Sequence, residues 1–232
     1  MTVAENKIYK ANKQNITPVI EDYLKAIYSL HQSDESVRTV ALAAHLNVKP
    51  PTVTAMLKTL ADLNLIRYEP YRSVELTGAG EKIALEIVRH HRLIELYLVK
   101  ALGFSWDEVH DEAEVLEHFI SEKLEARIAA YLADPTHDPH GDPIPALDGT
   151  LPESSAQSLA NLPEKALARV VRVSDQDGER LRYIAKLGLV PGAQVRVIES
   201  APFDGPISVQ VAGAVHAIDR RLAQMILVEE IP

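Results

Sequence analysis

Residues 39–63 read Thr39-Val40-Ala41-Leu42-Ala43-Ala44-His45-Leu46, then Asn47-Val48-Lys49, then Pro50-Pro51-Thr52-Val53-Thr54-Ala55-Met56-Leu57-Lys58-Thr59-Leu60-Ala61-Asp62-Leu63. A short helix, a brief turn and a second helix follow from this order. Pro51 falls in the first helical turn, where its missing N–H costs nothing, and Val53, Leu57 and Leu60 fall on one helical face. Small polar residues, Thr52 and Thr54, remain at the start of the second helix. That is the helix-turn-helix pattern. Immediately after it, Leu65–Glu69 and Ser73–Leu76 read as two short strands around Pro70-Tyr71-Arg72, which adds a β-hairpin wing. A helix pair with a hairpin also serves as an interaction module without DNA. The order, the compact spacing and the local charge favour DNA.

Upstream, Thr17-Pro18 opens a helix, with Glu21 and Asp22 in its first turn and Tyr23, Ala26, Ile27 and Leu30 on its apolar face. Residues 1–15 are polar and aperiodic and read as an arm. Downstream, Thr77-x-x-Gly80 leads into a long helix reaching about Ala101 and ending at Gly103. Ser105-Trp106-Asp107-Glu108 starts another, with a serine cap and an acidic first turn, running to about Phe119. Ser121 starts a further helix with Leu124, Ile128 and Leu132 on one face. Asp134–Gly149 contains four prolines and reads as a loop. From Glu164 the pattern turns to Val/Ile-rich strands, Ala168–Val173, Gln194–Glu199, Ile207–Val211, Ala214–Ile218 and Met225–Glu229, interrupted by a helix over Glu179–Leu187. Five strands separated by Pro191-Gly192, Asp204-Gly205-Pro206 and Ala212-Gly213 suggest a small SH3-like barrel.

The net charge of −9 is unevenly spread. Residues 1–80 carry nine Lys/Arg and eight Asp/Glu, 9 − 8 = +1; residues 81–150 carry 6 − 15 = −9; residues 151–232 carry 9 − 10 = −1. The first segment is therefore free to approach a polyanion. The acidic segment holds His110-Asp111-Glu112-Ala113-Glu114-Val115-Leu116-Glu117-His118, in which positions 110, 114, 117 and 118 share one helical stripe. Carboxylates at that spacing repel unless a cation sits between them, so a divalent metal held by nitrogen and oxygen is the natural occupant. A solvated acidic face is the alternative. His91-x-x-x-Glu95 repeats the i, i+4 geometry one helix earlier.

The chain has no cysteine, so it has no disulfide, thiolate site or cysteine nucleophile. No apolar run approaches the ~18 residues of a membrane span, and no leader is visible, so a cytoplasmic protein is expected. His-x3-Glu-x2-Glu-His is not the HExxH arrangement of metalloproteases, and neither a nucleophile elbow nor a phosphate loop is present. An enzyme such as a metallohydrolase is not expected; a metal-independent winged-helix regulator stands as a further alternative.

Five blocks together resemble the diphtheria-toxin-repressor family of metal-dependent transcription regulators: Glu21-Asp22-Tyr23-Leu24-x-x-Ile27-Tyr28, Pro51-Thr52-Val53-Thr54, His91-Arg92-Leu93-x-Glu95, Val109-His110-Asp111-Glu112-Ala113-Glu114-x-x-Glu117-His118 and Gly141-Asp142-Pro143-Ile144-Pro145. The resemblance implies a mainly α chain. Residues 16–78 would form the winged helix-turn-helix, 79–150 a helical metal-binding and dimerisation domain, 151–163 a linker and 164–232 an SH3-like, FeoA-like β-barrel. It implies a primary metal site of Asp22, Glu114, Glu117 and His118. Iron-sensing members carry Met and Cys at the positions of Asp22 and Glu114, whereas manganese-sensing members carry carboxylates there, as here. Mn(II) is accordingly expected, Fe(II) is the alternative, and other divalent transition metals would bind in vitro. Manganese-sensing members with a two-metal cluster have a carboxylate where this chain has Lys25. The resemblance further implies an ancillary site of His91, Glu95 and His110, with Asp177 or Glu179 lent by the C-terminal domain. Lys49, Pro51, Thr52, Thr54, Ala55, Lys58, Arg67 and Arg72 would meet a pseudo-palindromic double-stranded operator, bound by a homodimer acting as a repressor. No membrane and no small-molecule substrate are implied.

Overall fold

The computed structural model describes residues 16–32, 36–69 and 72–231. The expected arm and the tip of the wing at Pro70-Tyr71 lie outside them. The described residues form two compact units, one of those up to residue 90 with 145–150, the other of 91–144 with those from 151 onward.

The first unit contains α1 (Pro18–Gln32), α2 (Thr39–His45), α3 (Pro50–Asp62), β1 (Ile66–Arg67) and β2 (Glu75–Leu76), and it begins α4 (Gly78–Tyr97). α1 starts where expected because Thr17 Oγ1 accepts the Ile20 N–H at 3.4 Å. Lys49 is extended before α3, whose first turn carries the prolines. Leu24, Ile27, Leu42, Val53, Leu57, Leu60 and Leu65 are fully buried in one core. The wing is shorter than the sequence suggests: β1 and β2 pair antiparallel only through Ile66↔Leu76 and Arg67↔Glu75. His31 Nε2 donates to Val74 O at 2.8 Å, tying α1 to the residue just before the second wing strand. Thr77 caps α4, accepting the Gly80 N–H and donating toward Asn64 O at 2.8 Å.

The second unit continues α4, which ends in a π-helical turn over Leu98–Leu102 before Gly103. It adds α5 (Val109–Leu116) and α6 (Glu122–Tyr131). Leu93 and Leu96 of α4 pack with Ile128 and Ala129 of α6, while Ile94 and Leu98 pack with Val109 and Ala113 of α5. Packing on both sides of α4 leaves His91 and Glu95 aligned on the strip between. α5 differs from expectation at both ends. Ser105 does not cap it; its hydroxyl donates to Glu108 Oε2 at 2.6 Å and residues 106–108 form a turn. At the far end Glu117 is the C-cap, still helical in backbone (φ −56°, ψ −29°), and His118 falls in the following turn.

The C-terminal part is a six-stranded antiparallel sheet of order β3-β8-β4-β5-β6-β7. Its strands are β3 (Gln157–Ser158), β4 (Leu167–Val173), β5 (Gln194–Ser200), β6 (Ile207–Val211), β7 (Ala214–Ile218) and β8 (Ile226–Glu230), with α7 (Gly178–Lys186) and α8 (Arg220–Met225) between them. The expected linker over 151–163 needs correction. Residues 157–161 form β3 and a 3₁₀ turn, because Leu159 and Leu162 are buried in the sheet's core with Val170, Val195, Val209 and Val228. The β6–β7 connection turns through Ala212 (φ 49°) and Gly213 (φ 88°), the two positive values a two-residue hairpin of this twist demands.

Candidate metal centre

His91 and Glu95 face inward from α4, and His110 and Glu114 project from α5 one turn apart. His91 Nε2 lies 3.0 Å from Glu95 Oε1 and 3.1 Å from His110 Nδ1. His110 Nδ1 lies 3.5 Å from the same Glu95 oxygen, and Glu114 Oε1 stands 3.8 Å from both His110 Nε2 and His91 Nδ1. The other His91 nitrogen, Nδ1, is 2.5 Å from Oε2 of the fully buried Glu117. Glu117 Oε1 in turn lies 3.7 Å from His118 Nε2. A cation about 2.1 Å from each donor holds neighbouring donors about 3–4 Å apart. One donor atom each from His91, His110 and Glu114 lie within 4.8 Å of one another, which fits that requirement. The donor set is nitrogen and hard oxygen only, as suits first-row divalent ions.

Glu95 is buried and remains an anion. Burial alone would raise its carboxyl, but hydrogen bonds with His110, His140 and His91 outweigh it and hold the group well below the ordinary carboxylate range. Beyond it lies a second buried group that the sequence reading treated as loop. Glu95 Oε2 is 3.6 Å from His140 Nδ1, and Glu95, Asp138 and His140 are all buried. Burial, together with the Asp142 and Glu95 carboxylates, pushes Asp138 up to about 8. His140 is carried up to about 9: burial opposes its charge, but Glu95 and Asp138 beside it more than compensate. His140 lies in the proline-rich stretch that reads as a loop. The structure buries it, with Nε2 donating to Trp106 O at 2.7 Å and the ring stacked on the Trp106 indole (centroids 5.4 Å, 29°). His90 is buried as well.

The loop holding His140 is built as a tight hairpin. Asp138 Oδ1 accepts the His140 and Asp142 N–H groups at 2.8 Å each. Arg92 reaches across from α4 to Pro143 O. Asp142 pairs with Arg172 of β4 at 2.6 Å. β4 has a bulge between Val170 and Arg172, and Gly141 (φ +86°) sits against the displaced Val171 O. The signal for this was the glycine in His140-Gly141-Asp142-Pro143, which marks a close backbone approach.

Asp177 and Glu179 are not among the donor atoms grouped with His91, His110 and Glu114. Asp177 accepts the Arg180 N–H at 3.0 Å as the N-cap of α7, and Glu179 is exposed. Asp22 is half buried on α1, as is Lys25. On the helix-turn-helix, Lys49, Pro51, Thr52, Ala55, Lys58, Arg67 and Arg72 are exposed. Thr54 is half buried and its hydroxyl donates to Pro50 O at 3.1 Å. Arg67 and Arg72 pair with Glu75 (3.6 Å) and Glu69 (3.0 Å) on the surface. Leu102, Val115, Leu116 and Phe119 are exposed apolar side chains on the segments expected to dimerise. No helix among the described residues is long and apolar enough to cross a membrane.

Comparison with known proteins agrees with this layout. Residues 15–74 match the N-terminal DNA-binding domain of iron-dependent repressors, residues 77–146 their metal-binding and dimerisation domain, and residues 157–230 the FeoA domain. The iron-dependent repressor IdeR of Mycobacterium leprae (strain TN) is 31% identical over 229 residues, covering 94% of this chain and 99% of the relative. A manganese-dependent transcriptional repressor solved in complex with manganese superposes with a TM-score of 0.86 at 41% identity, covering 91% of this chain and all of that one. The manganese regulator SloR gives 0.77 at 31% identity over 93% of this chain and all of that one. The winged helix-turn-helix, the helical domain rich in histidine and carboxylate, and the C-terminal FeoA domain thus occur in the order found in these proteins, and the chain belongs to the diphtheria-toxin-repressor family of metal-dependent, DNA-binding transcriptional repressors.

Proposed function

We propose that this repressor is loaded by Mn(II) at a primary site of Asp22, Glu114, Glu117 and His118, and that His91, Glu95 and His110 hold an ancillary ion. The observation that carries the metal assignment is the donor chemistry: carboxylates and imidazoles, with no cysteine anywhere in the chain. Metal between Asp22 and the helical-domain ligands would neutralise clustered acid and fix the helix-turn-helix for its operator. Lys49, Pro51, Thr52, Thr54, Ala55, Lys58, Arg67 and Arg72 would make the DNA contacts, the basic residues on phosphates and Pro51 and Ala55 against thymine methyls. The proposed domains are 16–78 for DNA, 79–150 for metal and dimerisation, and the FeoA domain after them, in a cytoplasmic homodimer that controls metal homeostasis genes.

Metal and operator binding are then linked. Each strengthens the other by a common factor, of order 1–3 kcal/mol or about 5–150-fold. The test is operator binding against Mn²⁺, Fe²⁺, Co²⁺ and Zn²⁺ at matched free concentrations. Mn²⁺ is expected to give the strongest enhancement at the lowest free concentration reached in cells, and Asp22→Ala is expected to remove it. DNA affinity that ignores Mn²⁺, or an Asp22→Ala chain that responds normally, sinks the proposal. Fe(II) is the second reading, favoured by relatives named as iron-dependent repressors; the same titration decides between them.

A further inference from the structure

We infer that His140 is the positioning residue of the ancillary cluster: it holds Glu95 by the oxygen turned away from His91 and anchors that hold to the C-terminal sheet. The inference rests on reading His91, Glu95 and His110 as a metal site. Glu95 divides its two oxygens. Oε1 faces His91 Nε2 at 3.0 Å and His110 Nδ1 at 3.5 Å, and Oε2 faces His140 Nδ1 at 3.6 Å. A buried carboxylate that must present one oxygen to a cation needs the other held, or the group rotates and its affinity falls.

His140 is suited to hold it because its own place is set from four directions. Its Nε2–H donates to Trp106 O, its ring lies on the Trp106 indole, its N–H donates to Asp138 Oδ1, and its carbonyl accepts the Val173 N–H of β4 at 2.8 Å. With Nε2 committed to a carbonyl, only Nδ1 is left for Glu95. Gly141, packed on the β4 bulge, and the Asp142–Arg172 pair fix the same loop to the sheet. The C-terminal domain would thus act on the ancillary ion through His140, without supplying a ligand from α7.

Direct ligation of a further ion by Glu95, Asp138 and His140 is the competing arrangement. Asp138 argues against it. One of its oxygens already takes two backbone N–H groups, and the Arg92 guanidinium stands 3.9 Å from the other, where a metal would have to sit.

The test is Mn²⁺ titration of the full metal-stripped chain, with free ion counted by electron paramagnetic resonance and affinity by calorimetry. Four variants are compared: His140→Phe, which keeps a ring on Trp106; His140→Asn, which keeps an N–H near the Nδ1 position; Glu95→Gln; and His140→Phe with Glu95→Gln. Wild type is expected to bind two ions per chain. His140→Phe should weaken one of them about 10–100-fold and spare the other. His140→Asn should restore most of the loss, and His140→Phe should do nothing further once Glu95 is Gln. Metal-free melting and Trp106 fluorescence establish that each variant is folded.

The inference is overturned if His140→Phe leaves both affinities unchanged or weakens both alike, if Asn restores nothing, or if the two losses add. It is overturned in favour of direct ligation if wild type binds three ions and His140→Phe removes one. If wild type binds one ion and Glu95→Gln changes nothing, the ancillary reading itself fails and takes the inference with it.

Discussion

Replacing Gly141 with alanine tests how the His140 loop is seated. The new Cβ would stand 1.9 Å from Val171 O and 2.8 Å from the Arg172 Cα, and both neighbours are backbone in β4. The residue also has φ +86°, which costs an L-residue roughly 1–2 kcal/mol. Relieving the overlap requires moving the loop or the strand, at about 1–3 kcal/mol for an overpacked site. The sum is about 2–5 kcal/mol, which for a chain of this size lowers the melting temperature by about 4–20 °C. Gly213→Ala is the internal control: φ is +88° and nothing lies within 4 Å of its Cβ, so only the conformational cost remains. The assay is thermal unfolding of both variants beside wild type, followed by calorimetry and by the fluorescence of Trp106, the chain's one tryptophan. Gly141→Ala should lose more than Gly213→Ala by the clash contribution and should shift the Trp106 signal, because His140 moves with the loop. Equal melting temperatures for the two variants, or an unshifted Trp106 spectrum in Gly141→Ala, would refute the close seating of this loop on the bulge.

Thr77→Ala removes the cap of α4 and the link to Asn64 O; a loss of about 1–2 kcal/mol is expected by chemical denaturation, and Thr77→Ser should retain most of the stability. Asp107 sits 2.9 Å from Arg182, whose guanidinium, with Ser105, holds the carboxyl below its usual range against the opposing effect of partial burial. A depressed acid stabilises the fold above its unfolded value near 3.8 and loses that contribution as pH falls through the folded value. Asp107→Asn should therefore flatten the acid limb of a stability–pH curve and leave the neutral plateau's slope unchanged. Lys58, exposed on α3, is proposed to meet a phosphate; Lys58→Ala should lower the slope of log affinity against log salt by about 0.9 and weaken all operator sequences alike. An unchanged slope removes Lys58 from the interface.

The amphipathic stripes of α1 and α3, the alternating strands β4 to β8 and the His91–Glu95 and His110–Glu114 spacings were legible because each is a local period. What sequence missed had non-local causes. Residues 157–161 look like linker because their few apolar side chains show no pattern, yet Leu159 and Leu162 fill the sheet's core. The start of α5 was misplaced because Ser105 has the composition of a cap, while its hydroxyl is taken by Glu108. His140 and Asp138 lie in a proline-rich loop, whose composition says surface; their burial comes from Trp106, Arg92 and the bulge in β4, none of which is adjacent in sequence. Asp177 also caps α7, a role that composition alone does not separate from metal ligation.

His91 has consequences for how the two proposed sites can be dissected. One nitrogen of its ring faces Glu95 and His110, and the other touches Glu117. Deleting the ring removes an ancillary donor and, in the same stroke, leaves the buried Glu117 carboxylate without that neighbour. A His91 variant is therefore a poor reporter of either site, since loss of metal response would not say which ion was lost. Glu95, whose described contacts lie on the ancillary side, and His118, which stands beside Glu117, are the positions at which each site can be silenced separately.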